Sequence, residues 1–418
     1  MTRGPLVFGG APIGGLYAPV SDEAAAATLQ AAWDEGIRAF DTAPHYGVGL
    51  SEQRIGDFLA GRPRAEFVVS TKVGRRLVPA AGPVEGADEF YGTPALSRVR
   101  DYSADGTLRS LEDSLRRLRL DRVDIALIHD PDEHKTEALD GAYPALERLR
   151  ADGVVGAIGV GVNSAPLAEW FVYRSDLDCV LVAGRYTLLD DSAAGSLFPL
   201  CRSRGVAVLA AGVFNSGILA GGDRYDYAPA APGILARARR MAGVCARHGV
   251  PVAAAALRYV LRHPAVTAAV VGARTPDEIR ADAGYLSLAI PEALWADLAG
   301  SESKRTRCPS RHGSQPLLDA RDVHRRPGPG YLGFVGGQGV QDGPVLGQRL
   351  RRRPRLGQPA PDPGPGRRRR YRFKQGGEHG IARAGDDPPV ELQVVRHQVL
   401  GLGVRPDAVE QLAQAFGF

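Results

Sequence analysis

Along the first 300 residues, short apolar and β-branched runs alternate with longer stretches in which apolar positions recur at helical spacing. The runs predict strands near Leu6–Phe8, Arg38–Asp41, Phe67–Lys72, Val123–His129, Ala157–Asn163, Cys179–Ala183, Val206–Ala211 and Ala268–Val271. Ser21 is placed to cap the first helix, with Asp22 and Glu23 in its positive first turn and Gly36 to stop it. Ser51 is the expected cap of the second, which Gly61 and Pro63 close. In the third, Leu108, Leu111, Leu115 and Leu118 form one expected apolar stripe. Eight strands alternating with helices predict a (β/α)8 TIM barrel over residues 1–300, and a doubly wound sheet is the other fold that fits. The segment from Arg75 to Tyr102, with Phe90 and Tyr91, interrupts the alternation and reads as a substrate-side loop or a plain surface excursion.

The pattern stops near residue 300. Of the 118 residues in 301–418, 32 are Gly or Pro, which predicts a largely disordered Arg/Pro/Gly-rich tail. Charge divides at the same point. Residues 1–300 hold 31 Lys and Arg against 36 Asp and Glu, whereas 301–418 hold 21 against 11. The overall net charge of +5 therefore describes neither part. Arg351–Arg353, Arg355 and Arg367–Arg370, beside Tyr371 and Phe373, suit nucleic acid electrostatically. The composition suits better the product of a frameshift or readthrough in a GC-rich reading frame, so nucleic acid is not the expected partner.

No apolar run is long enough to span a membrane, and the N-terminal MTRGPLVFGG lacks the apolar core of a secretion signal. Cys179, Cys201, Cys245 and Cys308 stand alone, without metal-ligand spacing. The expectation is a cytoplasmic protein without a structural metal; its oligomeric state is not legible.

In a barrel, the reactive face lies at the C-terminal ends of the strands. Asp41 and Tyr46 follow the second strand in FDTAPHYG, Lys72 ends the third in STKVG, and His129 ends the fourth in LIHDPD. Singly, each has a plain explanation: a solvated lysine, a loop aromatic, a hydrogen-bonded structural histidine. Together, at three successive strand ends, they make a coherent proton-transfer set. A free tyrosine titrates near 10, and a neighbouring ammonium favours its phenolate. A carboxylate would hold that ammonium in place, and an imidazole would orient a carbonyl oxygen or relay a proton. GVGVNS, residues 159–164, nearly reads as a dinucleotide fingerprint, but its third glycine is missing.

In order and spacing, FDTAPHYG with GLSEQRIG, STKVG, LIHDPD, GVGVNS and VVGARTPDEIR resemble the aldo/keto reductase family over residues 4 to about 299. The segments GGAPIGGLY, DYSADGTLRSLEDSL, LVAGRYTLLD and AAGVFNSGILAGG with YDYAPA resemble its aldose 1-dehydrogenase branch, which includes L-fucose and pyridoxal 4-dehydrogenases. That resemblance implies an NAD(P)-dependent oxidoreductase moving hydride between a nicotinamide and a sugar hemiacetal or aldehyde, with aldose to aldonolactone as the expected reaction. It implies Tyr46 as general acid/base, Lys72 lowering the tyrosine's pKa, Asp41 paired with Lys72, and His129 orienting the substrate. Asn163 falls where the family holds the nicotinamide carboxamide. Gly272, Ala273, Arg274 and Thr275, with Glu278 beyond, fall where it grips the adenosine end.

Two departures stand out. Ala183 occupies the position of a supporting glutamine, and Ala211 that of a stacking tyrosine, for which Phe214, beyond Gly212, is the expected substitute. Gly272 and Glu278 replace the cations that many relatives use for a 2′-phosphate, which inclines the expectation from NADP towards NAD. Alternative readings are a pyridoxal 4-dehydrogenase-type activity and a cofactor-sensing barrel without catalysis.

Overall fold

The computed structural model describes residues 4–82 and 86–302. Eight parallel strands close a barrel: β1 (Leu6–Gly9), β2 (Ala39–Asp41), β3 (Val68–Val73), β4 (Val123–His129), β5 (Val155–Val162), β6 (Cys179–Ala183), β7 (Ala207–Ala211) and β8 (Val266–Gly272). Each strand pairs with the next in sequence, and β8 returns to β1 through Leu6–Ala269 and Phe8–Val271. This is the TIM barrel expected from the alternation. The expectations for the tail, including its disorder, its origin and its arginine clusters, fall outside the described residues from 303 onward. Among the described residues no helix is long and apolar enough to cross a membrane.

Alternation along the strands explains where the chemistry sits. Successive side chains point to opposite faces. Val7, Ala39, Val68, Ile125, Leu127, Cys179, Leu181 and Leu209 belong to one buried cluster that fills the barrel. Their neighbours Phe8, Phe40, Val69, Ala126, Ile128, Val180 and Val208 pack outward, under the helices. Counting by twos along the inward face leads from Ala39 to Asp41, from Val68 to Ser70 and Lys72, and from Leu127 to His129. The apolar filling thus ends in a polar layer at the C-terminal mouth. Pairing levels these ends, with Asp41 opposite Ser70, Lys72 opposite Leu127, and His129 opposite Gly161.

The helical punctuation is partly as expected. Ser21 Oγ accepts from the Ala24 N–H, 3.2 Å away, and caps helix α1 (Asp22–Asp34). Helix α2 (Leu50–Leu59) corrects the expectation for Ser51. Its cap is Gly49, held at φ 91°, while Ser51 is buried and its Oγ lies 2.8 Å from Thr42 Oγ1. In α3 (Ala104–Leu118) the stripe is also different. Leu111 and Leu118 are buried, but Leu108 is among the exposed hydrophobics. Gly106, Thr107, Ser110 and Ser114 complete the buried face, because small residues let this helix lie close to the barrel.

Arg75–Pro79 pairs antiparallel with Leu96–Arg100, so the excursion after β3 is a β-hairpin over the mouth. The backbone beside Tyr46 is equally tight. A Cβ on Gly14 would lie 2.9 Å from the Tyr46 carbonyl carbon, and one on Gly47, at φ 61°, would overlap the Gly14 carbonyl oxygen.

Candidate active site

Asp41, the last residue of β2, accepts at Oδ2 from Lys72 Nζ at 2.7 Å and at Oδ1 from Ser70 Oγ at 2.9 Å. Lys72 donates also to the Thr42 carbonyl at 2.9 Å, and its side chain is only 1% exposed. The ammonium lies 4.6 Å from the centre of the Tyr46 ring. The His129 ring stands perpendicular to the same ring, 5.9 Å between centroids, and Phe90 from the hairpin stacks on it at 6.3 Å. The four side chains expected to work together are therefore adjacent.

Burial dominates the electrostatics. The Tyr46 phenol is pushed well above its ordinary value by desolvation, then by the negative charges of Asp41 and Asp130, with Arg75 opposing. This corrects the expectation that Lys72 would set a low value. The lysine is committed to Asp41 and to the Thr42 carbonyl, and loss of water decides. His129 is held well below the ordinary imidazole value, first by desolvation and then by Arg75 and Lys72. It is therefore neutral, and its buried Nδ1 has no hydrogen-bond partner. A protonated phenol beside a neutral imidazole can deliver one proton to a developing alkoxide, or recover it in the reverse direction.

Two cavities meet at Tyr46. The larger, about 440 Å³, runs from Asp41 and Tyr46 past Gly184 and Phe214 to Arg274, Glu278 and Asp282. The smaller, about 320 Å³, is walled by His45, Lys72, Phe90, His129, Asp130 and Asn163. Both share Leu16, Tyr46, Leu181, Ala183 and Tyr227.

Of the residues expected at a cofactor, Gly212, Phe214, Gly272, Arg274 and Glu278 line the larger cavity. Asn163 lines the smaller one, with its amide between Asp130 Oδ1 at 3.5 Å and the Tyr227 hydroxyl at 3.4 Å. Ala273 is fully buried. Thr275 accepts from the Glu278 N–H and caps the helix Pro276–Ser287, while Glu278 Oε2 accepts from the Arg274 N–H at 2.7 Å.

Sequence reasoning missed His45, Arg75, Asp130, Tyr227 and Asp282. Arg75 spans the site, with Nη1 3.0 Å from His45 Nδ1 and Nη2 2.8 Å from Asp130 Oδ2. Asp130 and His45 adjoin His129 and Tyr46 in the chain, and that adjacency was the available signal. Asp282 lies one helical turn beyond Glu278 on the same face and is buried in the cavity wall, where desolvation and Glu278 push its carboxyl up to about 7.

The sequence pattern of the aldo/keto reductase family matches residues 5–302. The chain is 43% identical over 304 residues to a D-threo-aldose 1-dehydrogenase from Pseudomonas sp, covering 70% of this chain and 92% of that protein. It is 41% identical over 321 residues to a pyridoxal 4-dehydrogenase from Microbacterium luteolum, covering 71% and 94%. Among solved structures, a glycerol dehydrogenase from Gluconobacter oxydans superposes with a TM-score of 0.59 at 26% identity, over 76% of this chain and 95% of that one. A closed parallel barrel, a tyrosine, lysine, aspartate and histidine gathered at its mouth, and a family match over residues 5–302 agree: the chain is an oxidoreductase of the aldo/keto reductase family.

Proposed function

We propose that the barrel, residues 1–300, oxidises the cyclic hemiacetal of an aldose to the aldonolactone with a nicotinamide dinucleotide, NAD in preference to NADP. The observation that carries this reading is the junction of the two cavities at Tyr46, which gives one phenol access to both a long groove and a polar pocket.

The groove fits a dinucleotide. Its inner end is floored by Leu181, Ala183, Ala211 and Val270, small or apolar side chains that leave room for a flat ring. Phe214 lines the same wall, and Asn163, from the adjoining pocket, is a neutral amide suited to a carboxamide. Glu278 and Asp282 at the other end suit a ribose hydroxyl and disfavour a 2′-phosphate, leaving Arg274 as the cation on that wall. When bound, the nicotinamide supplies the hydride acceptor or donor.

The chain's own residues then handle the proton. In the oxidising direction the C1–H bond breaks with transfer of hydride, and the C1 hydroxyl gives its proton to Tyr46 Oη as the lactone carbonyl forms. In the reducing direction the protonated phenol returns it. Lys72, fixed by Asp41, lies beneath the ring, and because burial keeps the phenol protonated, oxidation draws on its small ionised fraction. His129, neutral, offers a ring nitrogen to the substrate oxygen without adding charge.

Carboxylates and amides in the smaller cavity (Asp88, Glu89, Asp130 and Asn163) suit a polyhydroxylated substrate, with Phe90 as an apolar floor. L-fucose is a fitting first probe. A pyridoxal 4-dehydrogenase-type activity is the second reading, favoured by the stacked Phe90 and Tyr46 rings, which offer a face to a planar substrate. Absorbance of the reduced nicotinamide with NAD⁺ or NADP⁺, against a panel of aldoses and pyridoxal, tests both. Turnover with aldoses supports the first, turnover with pyridoxal alone favours the second, and cofactor binding with no turnover on any of them leaves a non-catalytic sensor.

A further inference from the structure

Arg75 is the third residue beyond Lys72, at the start of the hairpin. Its guanidinium, with 13% of the side chain exposed, reaches His45, which precedes Tyr46, and Asp130, which follows His129. Thus one side chain touches the sequence neighbours of two members of the set and follows, after Gly74, the strand carrying a third. Asp130 is fixed from several directions. Its φ is 41°, its N–H donates to Gly161 O at 3.0 Å, and the Tyr102 hydroxyl donates to the His129 and Asp130 carbonyls at 2.6 and 2.9 Å. Its Oδ2 lies 2.8 Å from Arg75 and 3.4 Å from His129 Nε2, and its Oδ1 lies 3.5 Å from the Asn163 amide.

We propose that Arg75 is a positioning residue for the proton transfer: it ties the loop carrying Tyr46 to the loop carrying His129 and balances the Asp130 carboxylate beside that imidazole. The inference rests on the roles proposed above for Tyr46 and His129. Without the guanidinium, Asp130 is an unbalanced carboxylate next to His129 Nε2 and draws a proton onto the ring. An imidazolium there would change the charge of the pocket and release the His45 loop. The charged and titratable groups around the two histidines are Lys72 on β3, Arg75, Arg98 and Arg100 on the hairpin strands, Asp88 and Glu89 between those strands, Tyr46 after β2, Asp130 after β4, and Tyr227. After burial, Arg75 acts most strongly among the charges that keep either ring neutral, and His45 is lowered to about 2.

The test uses the full chain, labelled at histidine, as wild type, Arg75→Lys, Arg75→Gln and the double variant Arg75→Gln/Asp130→Asn. Imidazole resonances are followed from about pH 5 to 8, the range of an unperturbed histidine. A His129→Asn protein identifies the signal. The expected result is a His129 resonance that does not titrate in wild type, titrates in Arg75→Gln, and is again silent in Arg75→Lys and in the double variant. Turnover of Arg75→Gln should fall about 10–100-fold, as expected of a misplaced reacting group. Its acid-side loss should move to higher pH, and Arg75→Lys should restore most of the rate. A His129 signal that stays silent in Arg75→Gln overturns the proposal. So does equal impairment of the Lys and Gln variants with an unchanged pH profile. Wild-type protein that turns over no substrate would defeat the functional reading, while the resonances would still decide the role of Arg75.

Discussion

Lys72 Nζ lies 2.7 Å from Asp41 Oδ2, and the two side chains are 1% and 4% exposed. Neither ion has water to replace its partner. Removing one half of such a pair typically costs about 3–5 kcal/mol. Asp41→Ala and Lys72→Met should each destabilise the barrel by that order, and the double variant by much less than their sum. Urea unfolding of the four proteins measures this. Additive losses would mean that the pair is not the source of the cost.

The phenol of Tyr46 is held above its ordinary value, so only a small fraction is ionised at neutral pH. Oxidation draws on that fraction, which grows about tenfold per pH unit below the pKa. The rate of aldose oxidation should therefore climb steadily from pH 7 towards 10, whereas the reverse reduction should stay level over the same range. Initial rates in both directions provide the comparison. Parallel profiles would assign the rate-limiting proton to another group.

Asp282 offers a pH effect on stability. Its folded value of about 7 stands above the ordinary carboxylate value of 3.8. Between those values the native state keeps a proton that the unfolded state has lost, so stability falls as pH rises through that window. Asp282→Asn mimics the protonated form. It should leave stability to heat nearly unchanged at pH 4 and raise it at pH 8, by about 4 kcal/mol at most. An equal effect at both pH values would show that the carboxyl does not titrate in this range.

Cofactor choice is expected to turn on Glu278. Glutamine keeps an oxygen for the Arg274 N–H but removes the charge. Glu278→Gln should shift the ratio of kcat/KM for NAD over NADP towards NADP by roughly tenfold, the equivalent of about 1.4 kcal/mol. An unchanged ratio would place the discrimination elsewhere on the groove wall.

The barrel was legible because β2, β3 and β4 each open on an apolar residue and carry a polar side chain of inward parity at or next to their C-terminal end. That parity also made Asp41, Lys72 and His129 readable. Local features failed where two solutions compete. Ser51 has the chemistry of a cap, but Gly49 takes the left-handed turn and frees the serine to bond Thr42. Leu108 has the spacing of a core residue, yet the small residues of α3 set which face lies against the barrel. Arg75 was invisible for a different reason. Its partners come from two other loops, and its placement depends on the hairpin register that sets it opposite Arg100. The state of Tyr46 likewise depends on burial, which a sequence does not display.

The central claim is that Tyr46 moves the proton that accompanies hydride transfer. The direct measurement compares wild type with Tyr46→Phe on the same aldose, recording kcat together with cofactor affinity from nicotinamide fluorescence. Loss of the phenol should lower kcat by roughly 10²–10⁴-fold, the usual worth of general acid–base help. Cofactor affinity should stay within a few-fold, because the ring itself is kept. A Tyr46→Phe protein that turns over at the wild-type rate would remove the tyrosine from the chemistry and contradict the account.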